Sequence, residues 1–208
     1  MITIHHLQVS QSERIVWLCE ELGIPDVTAL AQAPVLEDNK VMLKESSAII
    51  EYLMNKYGGG RLSLTPFHPR FTDYLYWFHA SNCKLQPLVL LILQLSQIHD
   101  AGARLARAQE RLGALLCLLD DHLDARLWLA GDDFTAADIM LVFTLTTMRV
   151  FYGLDLSEGR NVLPCLERSS RREGYQRARN KGDPTLELMI EGRAPKPYVD
   201  RLKEAHII

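Results

Sequence analysis

Two short stretches of this sequence carry residue types that could do chemistry: Ser10-Gln11-Ser12-Glu13-Arg14 and Glu45-Ser46-Ser47. In each, hydroxyls stand just ahead of an apolar-periodic run, where a helix should begin. A serine there is most often an N-cap that satisfies an unpaired backbone N–H. The same first turn, with free N–H groups and the positive end of the helix dipole, is also an anion site. The two readings are compatible. Ser12 is the better placed for the cap, which leaves the Ser10 hydroxyl free to donate elsewhere. His5 and His6 are adjacent in a β-branched run, so they face opposite ways and cannot share a metal. They read as ordinary packing and edge residues. The four cysteines (Cys19, Cys83, Cys117, Cys165) are widely spaced with no CxxC. That argues against a disulfide scaffold, a zinc site or a dithiol redox pair, and fits a reducing, cytoplasmic setting. Cys19 falls on an apolar helix face and reads as a buried structural thiol.

These residues need elements to position them. Residues 2–8 predict a strand. Ile15, Val16, Leu18, Cys19 and Leu22 share one helical face, closed by Gly23 and Pro25. Residues 35–37 and 40–44 predict a hairpin around Asp38-Asn39. Ala48, Ile49, Tyr52 and Leu53 begin a second helix, which Gly58–Gly60 end. The stretch 58–69 reads as a linker. Beyond it, residues 70–98, 103–123, 135–151 and 161–180 all carry helical periodicity, and the Gly- and Pro-containing tail should lie extended. Thr135-x-x-Asp138 is a capping box, with Phe134 and Ile139 as its hydrophobic staple. The basic stretch 167–181 reads as a solvated helix face.

Composition sets outer bounds. The chain has 208 residues, 48% hydrophobic and 24% charged, which excludes collagen-like, coiled-coil and disordered classes. No run of about 18 apolar residues predicts a membrane span. The N-terminus lacks the pattern of a secretory signal. A net charge of −3 gives no reason to expect nucleic acid.

The order Ser10-Gln-Ser12-Glu-Arg14, then Gln32-Ala33-Pro34 before a hairpin, then Glu45-Ser46, then Phe134-Thr135-Ala-Ala-Asp138-Ile139, resembles the cytosolic glutathione transferases of bacterial and fungal type. The resemblance covers nearly the whole chain. It implies a thioredoxin-like α+β domain over residues 1–60 and an all-helical domain over 66–208. It implies a homodimer, and a detoxifying enzyme that joins the glutathione thiolate to hydrophobic electrophiles, with peroxidase side activity and no metal.

The resemblance also implies roles. Ser10, four residues ahead of Arg14, would donate to the glutathione sulfur; Ser12 is its competitor. A thiol is a poor nucleophile until ionised, and a donor at a helix N-terminus lowers its pKa. Ala33, before Pro34, would pair its backbone with the cysteinyl unit, and Gln32 would reach the glycyl end. Ser46 would hold the γ-glutamyl carboxylate and Glu45 its ammonium. Tyr74, Trp77, Phe78, Asn82 and Tyr152 are candidates for an electrophile pocket, although aromatics at helical spacing are more often plain core.

One count departs from the family. A strand of about 5 residues and a helical segment of about 8–10, with their loops, need roughly 20 residues between the first helix and Pro34. Only residues 23–33 are there. Either the strand or the helix has no room. Two readings compete: a chain that lacks the segment, or a longer chain from which residues between about Pro25 and Leu30 were lost. The missing part would contact the glycyl carboxylate. Its loss favours the alternative of a non-catalytic glutathione-binding or regulatory protein on the same scaffold. A thiol transferase using a cysteine is disfavoured, because none sits at the first turn.

Overall fold

A computed structural model of the chain describes residues 2–24, 28–29 and 34–196. Among the described residues, the first 60 positions contribute a four-stranded sheet and two helices. Strands β1 (Ile2–His6), β2 (Thr28–Ala29), β3 (Val35–Asp38) and β4 (Val41–Lys44) lie in the order β2-β1-β3-β4. β2 is parallel to β1, with His5 opposite Thr28, and β3 and β4 are antiparallel. Ile2, Ile4, His6, Leu36 and Asp38 point to the buried face, as strand alternation requires. Helices α1 (Glu13–Leu22) and α2 (Ser46–Lys56) follow β1 and β4. α1 stops where Gly23 takes φ +73°, a left-handed turn that glycine adopts without Cβ strain.

The register resolves the short count. β2 is present, so the strand is kept. Ala29 ends beside His6, and Val35 begins beside His5 on the other side of β1. Crossing two strand spacings means roughly 10 Å, which the intervening residues can span by length. Only four residues separate Ala29 from Pro34, too few for the helix.

The second part is helical: α3 (Phe71–Ala80), α4 (Gln86–Leu95), α5 (Gly102–Leu123), α6 (Ala136–Leu145), α7 (Val162–Ser170) and α8 (Glu173–Gly182). α3 and α4 are one helical run joined by a π-helical turn, Ser81–Leu85. Pro87 explains the bulge: it has no N–H to return to the preceding turn. The periodic stretch 161–180 is two helices rather than one. The Ser169 and Ser170 hydroxyls donate to the carbonyls of Cys165 and Glu167, competing with the ladder where it breaks. After the break α8 turns back against α1.

The expected capping box is present at α6. Asp138 accepts the Thr135 N–H at 2.9 Å and the Leu129 N–H at 2.9 Å, and takes the Thr135 hydroxyl as well. Burial pushes its carboxyl up to about 6. Asp138→Ala should therefore cost about 2 kcal/mol, and Thr135→Ala about 1 kcal/mol, read as loss of stability in thermal or denaturant unfolding. Unchanged unfolding in both variants would contradict this.

Candidate active site

Arg14 lies in the first turn of α1 and is fully buried. One guanidinium nitrogen, Nη1, reaches Asn82 Oδ1 at 2.6 Å, Gln11 Oε1 at 3.4 Å and Ser46 Oγ at 3.4 Å. Nη2 donates to Gln86 Oε1 at 3.0 Å and Thr144 Oγ1 at 3.1 Å. The guanidinium also stacks over Phe143, 4.7 Å from the ring centre. Desolvation lowers it to about 9, which leaves it charged at neutral pH. The first loop, α2, the π-turn and α6 therefore meet on one cation.

Ser46 shares this network. It is buried, donates to Gln11 Oε1 at 3.1 Å and accepts from Asn82 Nδ2 at 3.3 Å. It is the first residue of α2 and not its cap; Glu45 holds the cap position with φ +73°. A glutamate in that left-handed region is strained by about 1–3 kcal/mol, the kind of strain that clusters at binding sites. Glu45 itself is exposed. The first N–H groups of α2 have no partner within the helix.

Gln11 ties Ser46 to the Ser10 loop. The Ser10 hydroxyl is part-exposed and bonds the Leu7 carbonyl at 2.8 Å and Ser12 Oγ at 2.7 Å. Ser12 is fully buried. Its hydroxyl accepts the Leu7 N–H at 3.1 Å and meets His6 Nδ1 at 2.8 Å. Neither serine caps α1 through its side chain, contrary to the sequence reading. The N–H groups of Glu13 and Arg14 are taken by the carbonyls of Ser10 and Gln11. Ser12 faces inward, and Ser10 is the hydroxyl that faces out.

Pro34 stands half-buried directly before β3. Gln32 and Ala33 lie outside the described residues. Asn82 joins the site through Arg14 and Ser46. Tyr74, Trp77 and Phe78 are core residues, not pocket lining: they are buried, with Tyr74 packed on Phe71 and Phe78, and Trp77 on Tyr76 and His122. Helical spacing showed that they share a face, but that face turns inward. Tyr152 is half-buried at the core's edge. A cavity of about 490 Å³ instead opens beside the Ser10 loop, lined by Gln8, Val9, Val150, Phe151, Leu186 and Glu187 among others.

Sequence reasoning missed His6, Gln11 and Asp183. Strand parity with Ile2 and Ile4 could have marked His6 as buried; nothing local marks its partners. The basic stretch is solvated in part, with Arg171, Arg177 and Lys181 exposed, but it also pairs with α1. Arg172 grips Glu21 with two bonds of 2.8 Å, and Arg177 and Lys181 pair with Glu20, fastening α8 to α1. Cys19 and Cys165 are buried, and burial pushes both thiols up to about 12. Among the described residues no three His, Cys, Asp or Glu side chains converge as metal ligands, and no helix is long and apolar enough to cross a membrane.

A small mixed sheet followed by a helical bundle, with the site at the start of α1 and α2, defines the glutathione transferase architecture. Residues 24–61 match the model of the glutathione S-transferase N-terminal domain, and residues 102–180 that of the C-terminal domain. A structure of a glutathione S-transferase from Actinobacillus pleuropneumoniae superposes with a TM-score of 0.80 at 26% identity, covering 88% of this chain and 93% of that one. Glutathione S-transferase 3 of Schizosaccharomyces pombe is 28% identical over 70% of this chain and 73% of its own length. Mouse glutathione S-transferase theta-2 is 32% identical over 66% of this chain and 59% of its own. The chain belongs to the cytosolic glutathione transferase superfamily.

Glu13 follows Ser12 and is buried, bonded by the Thr147 hydroxyl with Arg179 at 4.0 Å. Burial dominates and pushes its carboxyl up to about 7, from an ordinary 4.5. A raised carboxyl favours the folded state fully below pH 4.5 and loses that contribution as pH climbs through 7. Glu13→Gln keeps an acceptor for Thr147 but cannot ionise. Its stability relative to wild type should rise between these two values, by up to about 3 kcal/mol. A pH-independent difference in denaturant unfolding would contradict the assignment.

Proposed function

We propose that the protein is a glutathione transferase that joins the glutathione thiolate to hydrophobic electrophiles. The observation that carries this is Gln11. Its carboxamide links the loop of the outward Ser10 hydroxyl to the buried Ser46 at the start of α2. The thiol donor is thereby the chain neighbour of the side chain that accepts from Ser46 at the helix end.

Ser10 is the residue that donates to the sulfur and stabilises it as thiolate. Ser12 supports it from behind. Ser46 and the free N–H groups of α2 hold the γ-glutamyl carboxylate, with the buried Arg14 charge behind them, and Glu45 pairs with the ammonium. Gln32, Ala33 and Pro34 complete the site along the backbone. The thiolate attacks the electrophilic carbon and the leaving group departs; peroxide reduction is a side activity of the same thiolate. The electrophile enters the cavity beside Val9, Phe151 and Leu186. The glutathione-bound glutathione S-transferase of Xanthomonas axonopodis shares the fold, at a TM-score of 0.68 and 22% identity. The protein works as a homodimer, for which the exposed apolar side chains Tyr76, Leu91 and Leu118 offer a face. A cytoplasmic, detoxifying role suits this chemistry.

A specific observation favours a second reading. The helix that has no room before Pro34 would touch the glycyl carboxylate, so a glutathione-binding protein without turnover fits the shortened domain.

Turnover of glutathione with an aromatic halide separates the two. Ser10→Ala should lower kcat on the order of 100-fold with glutathione binding retained. Binding by calorimetry with no turnover of any electrophile would favour the second reading. Full activity in Ser10→Ala would remove Ser10 from the role.

A further inference from the structure

A buried polar cluster lies behind Ser10 and reaches across to the second domain. Ser10 Oγ meets Ser12 Oγ at 2.7 Å, and Ser12 Oγ meets His6 Nδ1 at 2.8 Å. The far ring nitrogen, Nε2, faces Asp183 Oδ2 at 3.6 Å, at the end of α8. His6, Ser12 and Asp183 are all buried. The other oxygen, Asp183 Oδ1, accepts the Val9 N–H at 2.7 Å. Val9 is held at φ +54°, a conformation that costs a β-branched residue strain. Gln8 donates to the Gly182 carbonyl at 3.2 Å. The end of α8 therefore straps the loop that carries Ser10 while its carboxylate faces the histidine.

Proton counting gives the cluster a direction. Ser12 has one hydrogen and three possible acceptors: Ser10 Oγ, His6 Nδ1 and the Leu7 carbonyl. With a proton on Nδ1, His6 can only donate. The Ser12 oxygen then accepts from His6 and from the Leu7 N–H, and its own hydrogen is free for Ser10 Oγ. Ser10, with that lone pair engaged, can turn its own hydrogen away from the Leu7 carbonyl and outward. The Asp183 carboxylate faces the Nε2 edge of the ring at 3.6 Å, beyond hydrogen-bond distance. Glu13 on α1 and Arg179 on α8 are the other charged groups of this cluster.

We propose that His6, beside Asp183, is a positioning residue that orients the Ser12 and Ser10 hydroxyls in series, so that Ser10 presents its hydrogen to the glutathione sulfur. This rests on the reading of Ser10 as the thiolate's donor. His6 takes no proton from the thiol, which loses it to water; the relay stabilises the anion left behind. Gly182 belongs to the device. A Cβ there would stand 2.7 Å from His6 Nε2, so only glycine leaves the ring its place.

The test compares His6→Leu, His6→Asn, Asp183→Asn and Ser10→Ala in the full-length protein, each first shown to unfold cooperatively. The readouts are kcat with an aromatic halide, KM for glutathione, and ionisation of the bound thiol followed by ultraviolet absorbance of the thiolate. His6→Leu keeps the apolar bulk and removes the donor. It should raise the bound thiol's pKa by about one unit and lower kcat about tenfold, with KM nearly unchanged. His6→Asn places an amide N–H where Nδ1 stood and should restore most of the loss. Asp183→Asn keeps an acceptor for Val9 and should shift the thiol in the same direction as His6→Leu. A folded His6→Leu protein with unaltered thiol ionisation and kcat overturns the relay, while loss in Ser10→Ala would leave the parent reading standing. Equal loss in His6→Leu and His6→Asn would make His6 a packing residue and also overturn it. Thiol ionisation unchanged in Ser10→Ala, or no glutathione binding by the wild-type protein, overturns both.

Discussion

The buried guanidinium of Arg14 is the constraint on which the rest depends. Taking a charge out of water costs several kcal/mol unless its hydrogens find acceptors in good geometry. The two Nη groups of Arg14 find them on four elements: Gln11 in the first loop, Ser46 on α2, Asn82 and Gln86 around the π-turn, and Thr144 on α6, while Nε is left without a partner. These acceptors are all neutral. The cation is therefore solvated chiefly by neutral groups, with the neighbouring Glu13 carboxyl acting on it through space. The two parts of the chain cannot slide against each other without uncovering this charge.

Around that point α1 is fixed from both sides. Its acidic end, Glu20 and Glu21, is gripped by Arg172, Arg177 and Lys181 of the second part. Trp17 packs between Phe134 and Tyr175, so an apolar seam continues the ionic one. At the other end the loop before α1 is drawn to Gly182 and Asp183, with Val9 held in a left-handed conformation. The first domain is small. Much of what holds its active-site loop comes from the second.

Local features were legible in the sequence. The Thr135–Asp138 box was readable because a capping box is a contact between residues three apart, needing no partner elsewhere. The hairpin at Asp38-Asn39 and the stop at Gly23 were readable for the same reason. The placement of Ser10 and Ser46 at helix starts was readable too. Their roles at those starts were not: both hydroxyls turn away from capping, because α1 is capped by backbone carbonyls and Ser46 is claimed by Gln11. His6 was legible as buried by strand parity, but Ser12 lies six residues on and Asp183 at the far end of the chain. Tyr74, Trp77 and Phe78 were legible as one face; whether that face met solvent or core depended on α6 and α5.

By itself, then, the sequence determined the first strand and helix, the hairpin, the capping box and a short count before Pro34. Each follows from periodicity, turn chemistry and chain length, which are local and countable. The tertiary structure decided that Thr28 and Ala29 pair with β1 as a strand, which no local signal gives. It also decided that the solvated basic helix clasps α1, and that a histidine in the first strand belongs to the serine pair. Those outcomes depend on which distant groups must share a buried space, and burial obliges polar groups to find partners that sequence distance does not reveal.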